Sequence, residues 1–200
     1  MVYPTSLNKA KNYFEKFPGI GGKSAERLAL HLLNMPLEEI EDFATSIKEV
    51  KTKLKECTIC GNLSEEDICP ICSSSTRNKN LICVLEDKKS LFTFENVGHF
   101  NGVYHILGGL ISPLDDIGPE NINIKGLVER VEKLENPEII IALKSSLEGQ
   151  TTTLYIKKIF EKKKVEISRL SYGIPMNAEI DYLDEITLDR ALEDRKIISE

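Results

Sequence analysis

Two pairs of cysteines constrain the fold of this chain more than any other feature of its sequence. Cys57 and Cys60 form one C-x2-C pair, Cys69 and Cys72 form a second, and eight residues separate the pairs. Two such pairs can place four thiolates at the corners of the tetrahedron that zinc prefers. A redox-active dithiol needs only one pair, and iron-sulfur clusters usually have other spacings. We therefore expect these four cysteines to bind one structural zinc ion per chain.

The composition of the chain excludes several classes of protein. The 200 residues include 26 basic and 32 acidic side chains, for a net charge of -6, and 41% of them are hydrophobic. This balance excludes a uniformly cationic polyanion-binding protein and a disordered chain. No apolar stretch reaches the roughly 18 to 20 residues that span a bilayer, and the N-terminal residues have no apolar signal-peptide segment. The fifth cysteine, Cys83, stands alone in an apolar run, so the cysteines do not suggest a disulfide framework. We expect a cytoplasmic protein.

The spacing of the apolar residues predicts a chain of several parts with an α+β fold. Three helices are predicted before the first cysteine, at Lys9–Phe17, Ser24–Leu33 and Leu37–Leu54. After the cysteines, four apolar runs alternate with helical stretches, which favours a small α/β domain with a mainly parallel sheet. The predicted strands are Leu81–Leu85, Val103–Leu107, Glu138–Leu143 and Val165–Leu170, and the helices are Lys88–Asn96, Lys125–Leu134 and Thr151–Lys163.

A glycine-bearing turn with the sequence FPGIGGKSAER joins the first two predicted helices. Gly19, Gly21 and Gly22 have no Cβ atoms, so backbone amides are exposed at the start of the next helix, where the helix dipole favours an anion. Lys23 and Arg27 lie four residues apart, so both can reach one phosphate backbone without reading a base. We expect these five residues to bind DNA, and the segment resembles the helix-hairpin-helix of non-sequence-specific DNA-binding proteins.

Two other interpretations of this turn remain open. The first is a plain structural turn between helices. The second is a nucleotide-binding P-loop, because Gly22, Lys23 and Ser24 reproduce the end of the motif G-x-x-x-x-G-K-[ST]. That motif requires glycine where this chain has Phe17, and it follows a strand, whereas the segment before the turn has helical periodicity.

Acidic residues follow two of the predicted strands. Glu86 and Asp87 come directly after Leu81–Leu85, and Glu148 comes soon after Glu138–Leu143. Carboxylates at neighbouring strand ends can share a Mg²⁺ ion and support phosphoryl chemistry. The layout resembles the Toprim domain of topoisomerases and primases, although the later strand is followed by Lys-Ser-Ser-Leu-Glu and no Asp-x-Asp. A magnesium site and a solvated acidic rim of the sheet both remain open.

The order of these parts resembles the bacterial RecR family of recombination mediators over almost the whole chain. The resemblance also covers Tyr104-His-Ile-Leu-Gly-Gly-Leu-Ile-Ser-Pro-Leu-Asp, Leu147-Glu-Gly-Gln-Thr-Thr and Arg169-Leu-Ser-Tyr-Gly-Ile-Pro. It implies four regions, which we expect at residues 1–54 (helix-hairpin-helix DNA-binding region), 55–78 (four-cysteine zinc finger), 79–174 (Toprim domain) and 175–200 (acidic C-terminal tail).

The same resemblance implies a non-enzymatic, DNA-binding protein of recombinational repair. Such a protein acts with RecO and RecF to help load RecA onto single-stranded gaps coated by SSB. It binds single- and double-stranded DNA without sequence specificity, associates into dimers and a ring-like tetramer, and has no membrane contact. Glu86, Asp87 and Glu148 would then mainly dock a protein partner such as RecO. The competing hypotheses are a Mg²⁺-dependent Toprim enzyme, primase-like or nuclease-like, and a structural zinc adaptor that does not bind DNA.

The charge is distributed unevenly along the chain. Residues 1–34 contain five basic and two acidic side chains, whereas residues 177–200 contain eight acidic and three basic ones. We therefore expect separate surfaces, one for phosphate at the N-terminal hairpin and others for protein partners.

Overall fold

The computed structural model describes residues 3–171 and 173–197. The chain divides into two compact units, Met1–Leu54 and Lys55–Glu200. Parts of three predicted regions lie outside the described residues: residues 1 and 2 of the hairpin region, Tyr172 of the Toprim region and residues 198–200 of the tail.

The first unit consists of three helices, as predicted. They are α1 (Thr5–Phe14), α2 (Gly22–His31) and α3 (Leu37–Thr52), with a 3-10 turn at Leu32–Asn34 after α2. The predicted bounds of α1 were wrong by about one turn at each end. Its first turn closes at Pro4, whose carbonyl accepts from the Asn8 amide at 3.0 Å, and its last turn tightens before Phe17.

The first unit has a very small core. Within residues 3–54, only Ala25 and Ala29 of α2 are fully buried, and their small side chains let α1 and α2 pack closely. Helix α3 has no fully buried residue along its described length. Much of the apolar surface of this unit therefore remains exposed to solvent.

The second unit begins with the cysteine-rich segment and continues into an α/β domain. The segment contains a short antiparallel hairpin, β1 (Lys55–Glu56) with β2 (Leu63–Ser64), and the short helix α4 (Pro70–Ser73). The elements that follow are β3 (Leu81–Leu85), α5 (Lys88–Val97), β4 (Val103–Ile106), α6 (Ile124–Val131), β5 (Glu138–Ala142), α7 (Leu147–Phe160), β6 (Glu166–Arg169) and α8 (Glu185–Glu193).

The four long strands form one parallel sheet in the order β4-β3-β5-β6. Strand β3 is central, and its Val84 is paired with His105 of β4 on one side and Ile141 of β5 on the other. From the central strand β3 the chain passes to β4, on one side of β3, and then crosses back to β5, on the other side of β3. Strand order therefore reverses at the carboxyl ends of β3 and β5, where open α/β sheets bind their ligands.

Both faces of this sheet are covered by helices. On one face, side chains of β3 and β5 pack against α6 and α7, and on the other face side chains of β3 and β4 pack against α5. The first face contains Ile82, Val84, Ile139, Ile141, Leu127, Val131, Ile156 and Phe160, and the second contains Cys83, Leu85, Tyr104, Ile106 and Leu91. The alternation of one strand's side chains between two cores explains why β3 is a continuous apolar run in the sequence.

Helix α7 begins one turn earlier than predicted. The Ser146 hydroxyl caps it by accepting from the Gly149 amide at 3.2 Å, so Glu148 belongs to the first helical turn and not to a loop. Gly149 is required here, because a Cβ atom would collide with the carbonyl oxygen of Lys144. Thr152 is fully buried, and its hydroxyl accepts from the Ile111 amide at 2.9 Å, which ties α7 to the segment after β4.

The C-terminal region contains a helix that the sequence analysis did not predict. Helix α8 begins at the capping residue Asp184, whose Oδ1 accepts from the Thr187 amide at 2.9 Å. The Arg169 guanidinium and the Asp194 carboxylate, 2.7 Å apart, connect the end of β6 to the end of α8. Within the part of the chain that the structure describes, no helix is both long enough and apolar enough to cross a membrane.

Candidate metal centre and DNA-binding hairpin

The four paired cysteines converge on one point in the second unit. Their side chains are at most 8% exposed, and their four sulfur atoms all lie within 4.8 Å of one another. Cys60 Sγ and Cys69 Sγ are 3.6 Å apart, close to the edge of about 3.8 Å expected for a tetrahedron of sulfurs each about 2.3 Å from zinc. The donor set and its size therefore fit a zinc ion bound by all four thiolates.

The backbone around the cysteines is folded to bring the sulfurs together. Gly61 adopts φ +76°, which favours glycine, and its amide donates to the Cys57 carbonyl at 2.9 Å. The amide of Cys69 donates to Cys57 Sγ at 3.3 Å. This bond joins the first C-x2-C pair to the second, as the second-sphere contacts of metal sites do.

The cysteine thiols affect one another's protonation. The hydrogen bond between Cys60 and Cys69 raises the pKa of Cys60 and lowers the pKa of Cys69. Ionisation of one thiol therefore opposes ionisation of its neighbours. A divalent cation would supply the positive charge needed to ionise all four thiols.

The cysteine cluster is joined to the edge of the parallel sheet. The Ile106 amide at the end of β4 donates to the Cys60 carbonyl at 2.8 Å. Ile71, which lies between the second pair of cysteines, packs against the cluster and against the cores on both faces of the sheet. The Lys79 ammonium donates to the Cys72 carbonyl at 2.5 Å. Sequence reasoning missed these contacts, and only the apolar residue inside the second C-x2-C pair could have indicated them.

The predicted DNA-binding turn lies between α1 and α2. Gly19 has φ +79°, so only this position needs glycine for its backbone conformation. Gly21 is extended, with φ -89°, and no atom of the described part of the chain lies within 4 Å of where its Cβ would be. A Cβ on Gly22 would lie 3.1 Å from the Glu15 carboxylate. The three glycines therefore have different roles. Gly19 forms the turn, Gly21 leaves the backbone uncovered, and Gly22 makes room for the Glu15 side chain.

Among the described residues, no side chain caps the first amides of α2, and its first turn contains no acidic residue. The Glu15 carboxylate of the preceding segment lies beside Gly22, so a bound phosphate would have to displace it. Lys23 and Arg27 are exposed, and no described residue forms an ion pair with either. The nearby Glu26 carboxylate instead accepts from the Tyr3 hydroxyl at 2.6 Å. The P-loop interpretation is wrong, because the segment before the turn is the helix α1 and not a strand.

Each of the three acidic residues near the strand ends makes a local contact: Glu86 pairs with a lysine, Asp87 caps a helix, and Glu148 lies in the first turn of one. The Glu86 carboxylate lies 3.1 Å from the Lys144 ammonium. Asp87 caps α5, and bonds from the amide and hydroxyl of Ser90 hold the pKa of its carboxyl below the usual range. A side-chain hydrogen bond with Ser146 lowers the pKa of Glu148. Within residues 3–171 and 173–197, the cysteine cluster is the only group of three or more metal-binding side chains placed to share an ion.

Two other residues of the sheet with reactive side chains are buried in its core. Burial raises the pKa of the Cys83 thiol to about 12 and lowers the pKa of His105 to about 4. The His105 Nε2 atom lies 2.8 Å from the Asn123 carbonyl oxygen. Both residues therefore stay neutral near pH 7 and serve packing.

The parallel sheet, the cysteine cluster and the glycine hairpin define a Toprim protein with an added zinc finger and a helix-hairpin-helix. Family models match in this order: RecR helix-hairpin-helix (8–51), RecR four-cysteine zinc finger domain (54–74), Toprim domain (80–171) and RecR C-terminal (173–196). Curated recombination proteins RecR from Prochlorococcus marinus strain AS9601 and Clostridium perfringens strain 13 are 48% and 43% identical, with 98% of each chain covered. The chain therefore belongs to the RecR family of recombination proteins.

Replacing Cys57→Ser together with Cys60→Ser should remove the metal and destabilise the second unit. We expect about one zinc ion per wild-type chain and none in the double variant. The thermal midpoint should fall by at least roughly 4 °C, since even a loss of about 2 kcal/mol shifts a chain of this size by about 2 to 4 °C per kcal/mol. Elemental analysis and calorimetry measure the two effects.

The matched control is Cys83→Ala, which removes a buried thiol outside the cluster and should leave the zinc content unchanged. Freshly purified wild-type protein that contains no zinc would overturn the assignment.

Proposed function

We propose that this protein is a DNA-binding recombination mediator that acts with RecO and RecF to help load RecA onto SSB-coated single-stranded gaps. Membership of the RecR family supports the recombination role. The observation that carries the DNA-binding part is the uncapped start of α2 beside the exposed side chains of Lys23 and Arg27. The helix dipole and free amides favour a phosphate there, and the two cations can hold the next part of the same backbone.

Such a site reads no base. Gly19, Gly21 and Gly22 would let the phosphate approach the backbone closely, while Lys23 and Arg27 would neutralise its charge. The site should accept single- and double-stranded DNA without sequence specificity, and its affinity should depend strongly on salt. The net charge of the chain, -6, does not oppose this binding, because residues 1–34 carry a local excess of basic side chains.

Replacing Lys23→Glu together with Arg27→Glu should weaken DNA binding at low salt by at least about tenfold. Loss of two phosphate contacts should also reduce the slope of log affinity against log salt by about 1.4 to 1.8 per copy. Fluorescence anisotropy with labelled oligonucleotides measures both quantities. The same variant should slow RecA filament formation on SSB-coated DNA in the presence of RecO.

The matched control for this test changes charge elsewhere. Lys125→Glu with Lys133→Glu alters the net charge equally at exposed positions of the second unit and should leave the affinity nearly unchanged. If the hairpin variant binds DNA as well as wild type, the hairpin is not the DNA site, and a purely structural zinc adaptor becomes the better hypothesis.

One small phosphate site per copy suggests that several copies act together. We propose self-association into dimers and a ring-like tetramer, because linked weak sites gain affinity from effective concentration. Helix α3 supports this proposal. Its apolar residues recur every three or four positions, as in helices that pack against a second helix. They are Leu37, Ile40, Phe43, Ile47 and Val50, followed by Leu54 two residues after the helix ends, and all but the partly buried Ile40 are between 37% and 70% exposed.

Replacing Ile47→Glu together with Val50→Glu should shift the protein toward monomer, because two charges would then have to be buried in the contact between copies. Light scattering after size-exclusion chromatography measures the mass. The matched control is Thr45→Glu with Thr52→Glu, which adds the same charge on the opposite side of α3. An unchanged mass in the first variant, or an equal change in both, would contradict the proposal.

We further propose that the protein is not an enzyme and that the strand-end acids dock a protein partner such as RecO. Glu86 and Lys144 form an ion pair, and Asp87 caps α5, so both carboxylates have roles that need no metal. The sequence after β5 also lacks the Asp-x-Asp of catalytic Toprim domains. Glu86, Asp87 and Glu148 follow β3 and β5, where the strand order of the sheet reverses.

With Mg²⁺ or Mn²⁺ present, the wild-type protein should neither cleave DNA nor synthesise primers. Gel assays with supercoiled plasmid and with single-stranded template test this expectation. Metal-dependent turnover that disappears in Glu86→Gln would overturn it in favour of the Toprim enzyme.

We infer a cytoplasmic location, since four free thiols persist in a reducing compartment and remain available to bind one structural zinc ion. The four regions at residues 1–54, 55–78, 79–174 and 175–200 remain our proposed domain boundaries.

A further inference from the structure

A second polar groove in the first unit lies along α1, away from the glycine turn. Its volume is about 310 Å³. The groove is lined by Thr5, Asn8, Lys9, Asn12, Tyr13 and Lys16. These positions recur every three or four residues, so they share one side of α1 and the turn that follows it.

An aromatic ring lies in this groove between two cations. Tyr13 is 56% exposed, so much of its ring is accessible to a planar ligand. Lys9 comes one turn before it, and Lys16 follows it with its ammonium 4.7 Å from the ring centroid. The ammonium orients the ring through a cation–π contact and leaves more than half of the residue open to solvent.

The groove has a positive charge and no acidic side chain among the described residues that line it. The nearest acid in sequence, Glu15, lies 3.3 Å from the Lys11 ammonium, and neither of these two residues lines the groove. The remaining cations, Lys9 and Lys16, are therefore available to an external anion, with amide side chains of asparagine beside them.

We propose that this groove binds single-stranded DNA, with one base stacked on Tyr13 and the flanking phosphates held by Lys9 and Lys16. An exposed aromatic ring within a basic groove is the combination by which proteins hold single strands without reading their sequence. Bases inside a duplex are already stacked on each other and cannot reach the ring. The groove would thus add a preference for single strands to the hairpin, which accepts phosphates of either form. This inference rests on the proposed DNA-binding function.

Tyr13 also borders an apolar surface, which offers a competing explanation for why its ring is exposed. Tyr13 lies at the edge of an apolar groove of about 370 Å³ that includes Phe14, Phe17, Phe43 and Ile47. If Tyr13 served only to pack against a second copy of the chain, its loss would change self-association and would affect both forms of DNA equally. Base stacking, by contrast, predicts a loss of single-strand binding alone, with self-association unchanged.

The chain contains no tryptophan, so Tyr13→Trp introduces a single fluorescent reporter at the site. We expect its emission to be quenched when oligo(dT) binds, because a base stacks on the indole, and to be little changed by a duplex of the same length at equal saturation. Full binding of oligo(dT) without quenching would overturn the proposal while leaving the hairpin site intact.

A pair of variants tests the contribution to affinity. Tyr13→Ala should weaken oligo(dT) binding by about 5- to 150-fold, the range for loss of one base-stacking contact, and should leave duplex binding and the mass of the protein in solution unchanged. Tyr13→Phe keeps the ring and should bind like wild type. An equal loss for both forms of DNA, or a change in mass, would overturn the proposal. Failure of the hairpin assignment would be seen separately, as unchanged binding in Lys23→Glu with Arg27→Glu.

Discussion

The junction between the cysteine cluster and strand β4 is the contact on which the second unit depends. An edge strand leaves a row of unpaired amides and carbonyls, and here the Ile106 amide at the end of β4 donates to the Cys60 carbonyl, which ties the cluster to that end of the strand. Ile71 packs into the cores on both faces of the sheet. A metal bound by the four sulfurs would therefore stabilise the adjoining end of β4 as well as its own segment.

The first unit depends on different interactions, because it has almost no core. Two alanines of α2 are its only fully buried residues within residues 3–54, while α3 leaves its apolar side exposed. Such a unit has little apolar burial to stabilise it alone, and it gains most from burying α3 against another surface. Our proposal that several copies hold one DNA molecule together would bury this surface of α3 and would combine weak phosphate sites through effective concentration.

The carboxyl ends of the central strands show how one sheet can serve different functions. In catalytic Toprim domains this place holds a metal through several converging acids. In this chain Glu86 pairs with Lys144, Asp87 caps a helix, and the second acidic pair is missing from the sequence. These two carboxylates are thus held by local contacts that need no metal, so the same sheet position serves a different purpose here.

The sequence by itself determined those features that depend on residues close together in the chain. The cysteine spacing predicted the cluster, the apolar run predicted β3 with its observed bounds, and Pro18 to Gly22 predicted the hairpin, because ligand geometry, strand period and turn chemistry act over a few residues. Only the tertiary structure decided the rest. The Cys60–Ile106 bond, the Ile111–Thr152 bond and the packing of Ile71 into both faces of the sheet join segments that are distant in the sequence. Such contacts leave no fixed spacing in a sequence, since their partners are brought together only by the fold, whereas the caps that begin α7 and α8 span three residues and were missed as local signals.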